Sequence, residues 1–513
     1  MVLAQRRCLL GATAFVAVLL AAPLAVPAAV ARDDAAAQKD LALLDAVTWG
    51  ASPASFDRLA AMGREAWLRD QLHPGTGEAL PEAVAAEIAR LQPAGSLFER
   101  VAAFDAQAKA AAAEIDPTRR EAAQAAHQTA LTEAGRASVH QAILRALYTP
   151  AQLRERMTWF WLNRFNVFIG KANVRASVGD YVDTAIRPHA LGRFRDLLAA
   201  TLQHPAMLRY LDNADNAAGR INENYARELM ERHTMGVGSG YTQADVEQLA
   251  RILTGVGISS RAEPPRLKLL MQEDLVRDGL FEFNPARHAY GPKVLLGRPI
   301  QSRGFAEVDE ALDILSRHPA TARNVGRALA TYFVGDTPAE ALVQKLAATF
   351  TRTDGDIAAV LDELFHAPEF AVAAAGGRFK DPVRFVFSAL RLAYDTRVIR
   401  NPATVQSWLT RLGEGLFLRS TPDGYPLASA AWTGPGQMVT RFEVARQIGS
   451  GPANLFKPAP ESEAEPAFPL LQNRLYFTVL AGTLGERTQG VLARAVSPQD
   501  WNALFLASPE FMH

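Results

Sequence analysis

The sequence predicts an all-α protein, a globular array of many helices joined by long irregular connections. Apolar residues recur every three or four positions through most of the chain, which is the spacing of one face of a helix. Alternating runs of β-branched residues, which would indicate strands, are nearly absent. Several prolines stand where a first helical turn can begin without losing a hydrogen bond. We expect helices to start at Pro205, Pro319, Pro368 and Pro509.

The composition is that of an ordinary globular protein. Of the 513 residues, 49% are hydrophobic and 21% are charged, and 54 Lys and Arg balance 54 Asp and Glu. A chain of this length buries about 75% of its unfolded surface. These values exclude intrinsic disorder and a polytopic membrane protein. The zero net charge gives no electrostatic basis for binding a polyanion, so we expect no nucleic-acid partner.

The first 31 residues have the pattern of a cleaved signal peptide. Arg6 and Arg7 precede a long apolar stretch, and residues 29–31 (AVA) form the small-x-small pattern that signal peptidase cuts. Two prolines interrupt the stretch before it reaches the ~20 residues that a spanning helix needs. We therefore expect cleavage after Ala31 and an exported protein, periplasmic or extracellular, that is not an integral membrane protein after processing. Both the general secretory and the twin-arginine route remain open, and processing removes Cys8, the only cysteine.

Three helical regions are predicted after the signal peptide: an N-terminal region at 32–147, a central region at 148–300 and a C-terminal region at 301–513. The N-terminal region is Ala-rich from about residue 80, which suits long helices or a helical hairpin. In the central region, Thr242 to Asp245 forms a capping-box-like start for an amphipathic helix. Residues 259–300 are rich in Pro and Gly and are predicted to form a long irregular connection.

The longest distinctive stretch is INENYARELMERHTMGVGSGYTQADVEQLARILTG at 221–255. Other distinctive stretches flank it in the chain: TWGASPASFDRLAAMGREAWLRDQL at 48–72, LRERMTWFWLNRF at 153–165, IRPHALGRFRDLLAATLQHPAMLRYLDN at 186–213, FNPARHAYGPKVLLGR at 283–298 and HPATARNVGRALATYFV at 318–334. Together these stretches resemble the bacterial family designated domain of unknown function 1800, over nearly the whole mature chain.

The resemblance implies an exported protein without an agreed biochemical activity. It also implies a partner, because many members are encoded beside an exported, phosphatase-like protein of unknown function. This sequence departs from the family pattern at two positions. Arg164 stands where the family usually has a His, and Ala289 stands where an Asp commonly follows the His at position 288.

One face of the helix predicted over 222–233 is rich in carboxylates. At about 100° per residue, Glu223, Asn224, Arg227, Glu228 and Glu231 fall within an arc of roughly 140°. Such a face could bind a hard cation or supply a general acid and a general base. The alternative is a solvated face, on which the arginine pairs with the glutamates four residues before and after it.

His233 falls on the opposite, apolar face, where it is either a core histidine or a ligand. The candidate catalytic residues are Glu223, Glu228 and His233. The candidate metal ligands are Asp212, Glu228, Glu231 and His288. No cofactor is indicated by any motif.

The motifs of zincin proteases, α/β-hydrolases, P-loop enzymes and c-type cytochromes are all missing from the sequence. An aromatic cluster that includes Trp159, Phe160 and Trp161 forms either a core helix or a stacking platform for a sugar. We therefore expect a binding or accessory protein in envelope or extracellular metabolism. The alternative is a hydrolase, with or without a metal, that uses the carboxylate-rich helix at 222–233.

Overall fold

Helices make up most of the described chain, which confirms the mostly helical fold class. The computed structural model describes residues 34–75, 80–457 and 467–513. The α-helices of these residues are α1 (Asp34–Val47), α2 (Pro53–Met62), α3 (Arg64–Leu72), α4 (Glu82–Leu91), α5 (Leu97–Ala113), α6 (Pro117–Tyr148), α7 (Gln152–Arg164), α8 (Val178–Asp180), α9 (Phe194–Gln203), α10 (Pro205–Tyr210), α11 (Asn224–Glu228), α12 (Gln243–Ile252), α13 (Leu269–Gln272), α14 (Phe305–Ser316), α15 (Pro319–Phe333), α16 (Glu340–Arg352), α17 (Ile357–Phe365), α18 (Pro368–Gly376), α19 (Pro382–Tyr394), α20 (Pro402–Arg411), α21 (Pro435–Ser450), α22 (Arg474–Thr478), α23 (Glu486–Leu492), α24 (Pro498–Leu506) and α25 (Pro509–Met512).

Shorter helical turns of other kinds connect several of these helices. Turns of 3-10 helix lie at Val174–Ala176, Arg187–His189, Asn213–Asp215, Pro285–Arg287, Ser429–Trp432 and Leu480–Thr483. Two π-helical turns, Tyr181–Ile186 and Leu229–His233, directly continue α8 and α11.

The helix starts follow the local rules that predicted them. Helices α10, α15, α18 and α25 begin at the four expected prolines. Helix α12 begins with the predicted capping box, in which the Thr242 hydroxyl accepts from the Asp245 N–H and the Asp245 side chain accepts from the Thr242 N–H. These caps satisfy backbone groups that a helix end otherwise leaves without partners.

Two small antiparallel sheets are formed by the segment 259–300, where the sequence predicts an irregular connection, together with the three residues before it. Strands β1 (Val256–Ile258), β3 (Phe281–Phe283) and β2 (Val276–Asp278) form a three-stranded sheet in that spatial order. Strands β4 (Val294–Leu295) and β5 (Arg298–Pro299) form a hairpin. Strands this short carry no readable alternation, so periodicity could not predict them.

One continuous set of buried hydrophobic side chains extends along the chain from Ala37 to Met512. Helices from all three predicted regions contribute to it, and α7 and α19 are among the most buried. Helices α5 and α6 pack together as a long hairpin on the N-terminal side of this core. The region boundaries at 147 and 300 stay predictions.

The predicted signal peptide, residues 1–31, lies outside the described residues. Within the three described ranges, no helix combines the length and the apolar character needed to cross a membrane.

Candidate functional site

Helix α11 and the π-helical turn after it carry three of the predicted site residues. The turn Leu229–His233 is closed by Thr234, whose hydroxyl donates to the carbonyl oxygen of Leu229 at 2.6 Å. The Gly236 N–H then donates to the carbonyl oxygen of Met230. Single π-helical turns inside helices occur frequently at functional sites. The wider turn also changes which side chains share a face after Glu228.

The outward face of α11 is a solvated ion-pair ladder. Arg227 lies 3.2 Å from Glu223 and 3.7 Å from Glu231, the two partners that the four-residue spacing predicts. Gln243 joins the same network through hydrogen bonds to Arg227 and Glu223. Glu223 therefore belongs to an exposed structural network, the second of the two alternatives left open by the sequence.

Glu228 has a different environment from Glu223. Its side chain is only 17% exposed, and the nearest cationic atom is Arg232 Nε at 4.0 Å. Among the described residues, its buried Oε2 atom has no hydrogen-bond partner. Burial raises the pKa of Glu228, and the negative charges of Glu231 and Asp423 raise it further against the opposing charge of Arg232. This carboxyl group is therefore suited to carry a proton at a higher pH than an ordinary glutamate.

His233 lies in the core. It is 1% exposed, and its ring packs against those of Phe165 and Tyr225 at centroid distances of 4.8 and 6.1 Å. Neither ring nitrogen has a hydrogen-bond partner among the described residues. Burial, with the charge of Arg164, lowers the pKa of His233 to about 3. The geometry thus favours the core interpretation of His233 over a role as ligand or base.

This buried histidine should make the protein sensitive to acid. Below pH ~6.5 the unfolded chain protonates His233 while the folded chain does not, so protons favour unfolding down to the folded-state pKa. Between pH 6.5 and 5 this difference lowers the stability of the wild-type protein by about 2 kcal/mol, and we expect His233→Phe to lack that part of the loss. Denaturant titrations at the two pH values measure it. His73→Phe, which makes the same substitution at an exposed histidine, is the matched control. An identical acid response in wild type and His233→Phe would contradict the neutral buried state.

A polar cavity of about 230 Å³ opens beside the π-helical turn. Its polar lining comes from four separate parts of the chain: α7, the π-helical turn, α15 and the loop after α20. The lining residues with the most hydrogen-bonding capacity are Asn163, Arg164, Glu231, Arg232, Asn324 and Asp423. Three of these four segments belong to the distinctive sequence stretches, so the fold brings them together at this one cavity.

Backbone carbonyl groups hold the inner wall of the cavity in place. Arg164 donates to the carbonyl oxygens of His233 and Thr234 at 3.3 and 3.4 Å, and Asn324 donates to Thr234 at 2.6 Å. These bonds satisfy the carbonyl groups at the end of the π-helical turn. Burial lowers the pKa of Arg164 to about 10, so it stays charged at neutral pH.

Asn163 fixes the loop that forms the opposite wall. Its side-chain oxygen accepts from the Tyr425 N–H at 2.6 Å, and its amide nitrogen donates to the Tyr425 carbonyl oxygen at 2.9 Å. Gly424 approaches the backbone of Asn163 so closely that an added Cβ would lie 2.1 Å from its carbonyl oxygen, and its φ is +70°. A glycine is required there on both grounds.

Asp423 is one of several cavity residues that the sequence analysis did not identify, as are Asn163, Arg232 and Asn324. Burial opposes its ionisation, but hydrogen bonds from Thr421 and Arg419 lower its pKa. The pKa of Asp423 is therefore lowered and that of Glu228 is raised, as in sites that pair an acid with a base. The only sequence signal was the turn-forming series Thr-Pro-Asp-Gly at 421–424, which indicates a loop without indicating a function.

The remaining candidate metal ligands have other partners. Asp212 pairs with Lys171 at 2.7 Å on the side of the molecule that faces α5 and α6. His288 is buried beside Glu307. In the described parts of the chain, no group of three or more His, Cys, Asp or Glu side chains is arranged to hold a metal ion.

His288 belongs to a buried network of charges. His288 Nε2 lies 3.3 Å from Glu307 Oε1, and Lys293 Nζ lies 2.6 Å from Glu307 Oε2. Nδ1 of His288 donates to the Thr254 carbonyl oxygen at 2.7 Å. The side chains of His288, Lys293 and Glu307 are each at most 5% exposed. Burial opposes the charge of Glu307, yet its bonds to His288 and Lys293 hold its pKa below the usual value. The network ties the small sheets to α14.

Comparison with known proteins gives one match. A family model described as "Protein of unknown function (DUF1800)" matches residues 42–513. No curated protein and no solved structure matches the chain.

Proposed function

The chain belongs to the DUF1800 family of proteins of unknown function, as its motifs predicted, and we propose that it binds a small, uncharged, hydroxyl-rich ligand such as a sugar. The ligand site is the polar cavity between α7, the π-helical turn, α15 and the loop at 421–427. The observation that carries the proposal is the convergence of four chain segments on this cavity, each held there by specific hydrogen bonds.

The charges of the cavity support an uncharged ligand. Its two acidic side chains, Glu231 and Asp423, are balanced by Arg164 and Arg232. The charges of the lining side chains thus sum to zero and do not call for an ionic ligand, whereas many donors and acceptors in the lining can bind hydroxyl groups.

An aromatic side chain completes the cavity. Tyr425 lines it, and its ring is stacked with that of Trp159 at a centroid distance of 6.4 Å and an interplanar angle of 23°. A sugar presents an apolar ring face as well as hydroxyl groups, so planar polar side chains next to an aromatic ring suit it. This arrangement supports the sugar-platform alternative for part of the aromatic cluster, while Phe160 and Trp161 are core residues.

The test is a panel of neutral and charged mono- and disaccharides, measured by thermal shift and isothermal titration calorimetry. We expect a neutral sugar to bind, and Val237→Trp at the rim to weaken its binding at least about 10-fold by steric exclusion. Val439→Trp is the matched control, because Val439 is similarly exposed and lies on α21. No saturable binding, or equal effects of the two variants, would contradict the proposal.

A second function, hydrolysis, takes Asp423 and Glu228 as its two carboxyl groups. Asp423 lines the cavity, Glu228 directly precedes the π-helical turn that contributes two of the lining residues, and the pKa values of the two groups shift in opposite directions. A carboxyl group with a raised pKa can protonate a leaving group while an ionised carboxylate acts as base or nucleophile. Hydrolysis of a glycosidic bond would use both groups in this way. The proposal needs Glu228 and Asp423 only, and neither Glu223 nor His233 takes part.

The proposal also includes the location of the protein. We place the protein in the periplasm or outside the cell, as a binding or accessory protein of envelope or extracellular metabolism. We expect the mature chain to begin at Arg32, because the signal-peptidase pattern ends at Ala31. Mass spectrometry of the protein recovered from the periplasm or medium measures its N-terminus. An intact Met1 species in the membrane fraction would contradict cleavage.

A further inference from the structure

A second and larger cavity lies far along the sequence from the family motif at 221–255. It measures about 520 Å³ and is formed by α1, α19, the end of α18 and the C-terminal segment from residue 480 onward. Leu41, Leu392, Leu484 and Phe505 provide much of its wall, together with several alanines. Its size falls within the range of small-molecule sites, and its walls suit an apolar molecule.

A buried lysine lies in the wall of this cavity. Lys380 is 3% exposed, and its Nζ donates to the carbonyl oxygen of Phe511 at 2.6 Å and lies 4.3 Å from the centre of the Phe511 ring. No carboxylate of the described residues is within ion-pair distance of this ammonium group, and one hydrogen bond leaves two of its N–H donors without partners. A buried ammonium without an anion is costly.

The surroundings of Lys380 are more positive than negative. Arg441 donates to its carbonyl oxygen at 2.7 Å, and Arg384 is buried on the next turn of the chain. Burial lowers the pKa of Lys380 to about 8, with the attraction of Asp45 opposed by the two arginines. The amine is therefore still mostly protonated at pH 7.

The two acidic side chains of the cavity wall have donors of their own. Asp45 accepts from the Ala51 N–H at 3.0 Å. Glu510 accepts from the Gly485 N–H and from the hydroxyl of Thr488 at 2.8 to 3.0 Å. Neither carboxylate therefore takes the place of a counter-ion for Lys380.

We propose that this cavity is a second ligand site, which binds an apolar carboxylic acid with its carboxylate on Lys380 Nζ. The hydrocarbon part lies along the leucines and Phe505, and the carboxylate accepts the two free N–H donors. A charge-assisted pair inside a partly enclosed apolar cavity gives both affinity and orientation. This site is independent of the sugar site in its position and in its ligand.

Decanoate is the probe, with decanol as its uncharged analogue, and binding to the mature protein is measured by isothermal titration calorimetry. We expect decanoate to bind at least about 10-fold more tightly than decanol. Lys380→Met should reduce the affinity for decanoate to that for decanol. Lys109→Met is the matched control, because Lys109 is exposed on α5 and is not one of the residues that line the cavity. It should change the affinity less than about 2-fold.

Ala42→Phe tests the cavity without touching the lysine. Ala42 lines the wall on α1, so a larger side chain there should weaken decanoate and decanol alike. If Lys380→Met fails to fold, this variant and the comparison of the two probes decide the question. Equal affinities for decanoate and decanol, unchanged decanoate binding in Ala42→Phe, or no saturable binding of decanoate would each overturn the proposal.

Discussion

Glu307→Gln should lower the free energy of unfolding by about 3–5 kcal/mol. The substitution leaves Lys293 and His288 buried beside a neutral amide, with 1% and 0% of their side chains exposed. A buried ammonium group that loses the carboxylate of Glu307 as its partner must be desolvated without that compensation. Denaturant unfolding at pH 7, followed by far-UV circular dichroism, measures the change.

Glu340→Gln is the matched control for this variant. Glu340 likewise contacts two basic side chains, Arg323 at 2.8 Å and Arg327 at 2.7 Å, but its side chain is 44% exposed. Water and salt screen such pairs, so we expect a much smaller loss of stability than in Glu307→Gln. If both variants lose a similar amount of unfolding free energy, burial does not increase the contribution of the Glu307 pairs to stability.

Glu228→Gln should lower the rate of glycoside hydrolysis by at least about 100-fold, the contribution expected of a general acid. It should not lower thermal stability. Burial disfavours the charged form of Glu228 in the folded protein, so a neutral amide of the same shape removes an unfavourable charge at pH 7. Steady-state kinetics and thermal unfolding of the same preparation measure both quantities.

Glu223→Gln makes the same chemical change on the same helix. It removes one member of an exposed pair with Arg227, so we expect about 0.5 kcal/mol or less and an unchanged rate. Full hydrolytic activity in Glu228→Gln would show that Glu228 is not the general acid. A loss of several kcal/mol in that variant would instead assign Glu228 to a structural network.

Local rules predicted much of the fold. First-turn prolines and the Thr242 capping box placed helix starts correctly, because these signals act through the backbone of a few adjacent residues. The two small sheets were missed because their strands have only two or three residues. Their stability comes from contacts with buried side chains, such as those of Phe281 and Phe283, which no local pattern encodes.

The candidate site was predicted only in part. Helical periodicity correctly places His233 on a different face of the helix from the carboxylates. It cannot distinguish the more buried Glu228 from the more exposed Glu223. That difference comes mainly from the burial of Glu228 in the folded chain, with a contribution from the charge of Asp423, nearly 200 residues later in the sequence. The sequence analysis predicts His288 as a metal ligand together with residues of the carboxylate-rich face, whereas the fold pairs it with Glu307.

A crystal structure of the mature protein with the neutral sugar that binds most tightly tests the proposed site most directly. We predict that the sugar occupies the cavity beside the π-helical turn, with hydroxyl groups on Glu231, Arg232 and Asp423 and its ring against Tyr425. A sugar bound at another place on the molecule, with this cavity free of it, would contradict the proposed function.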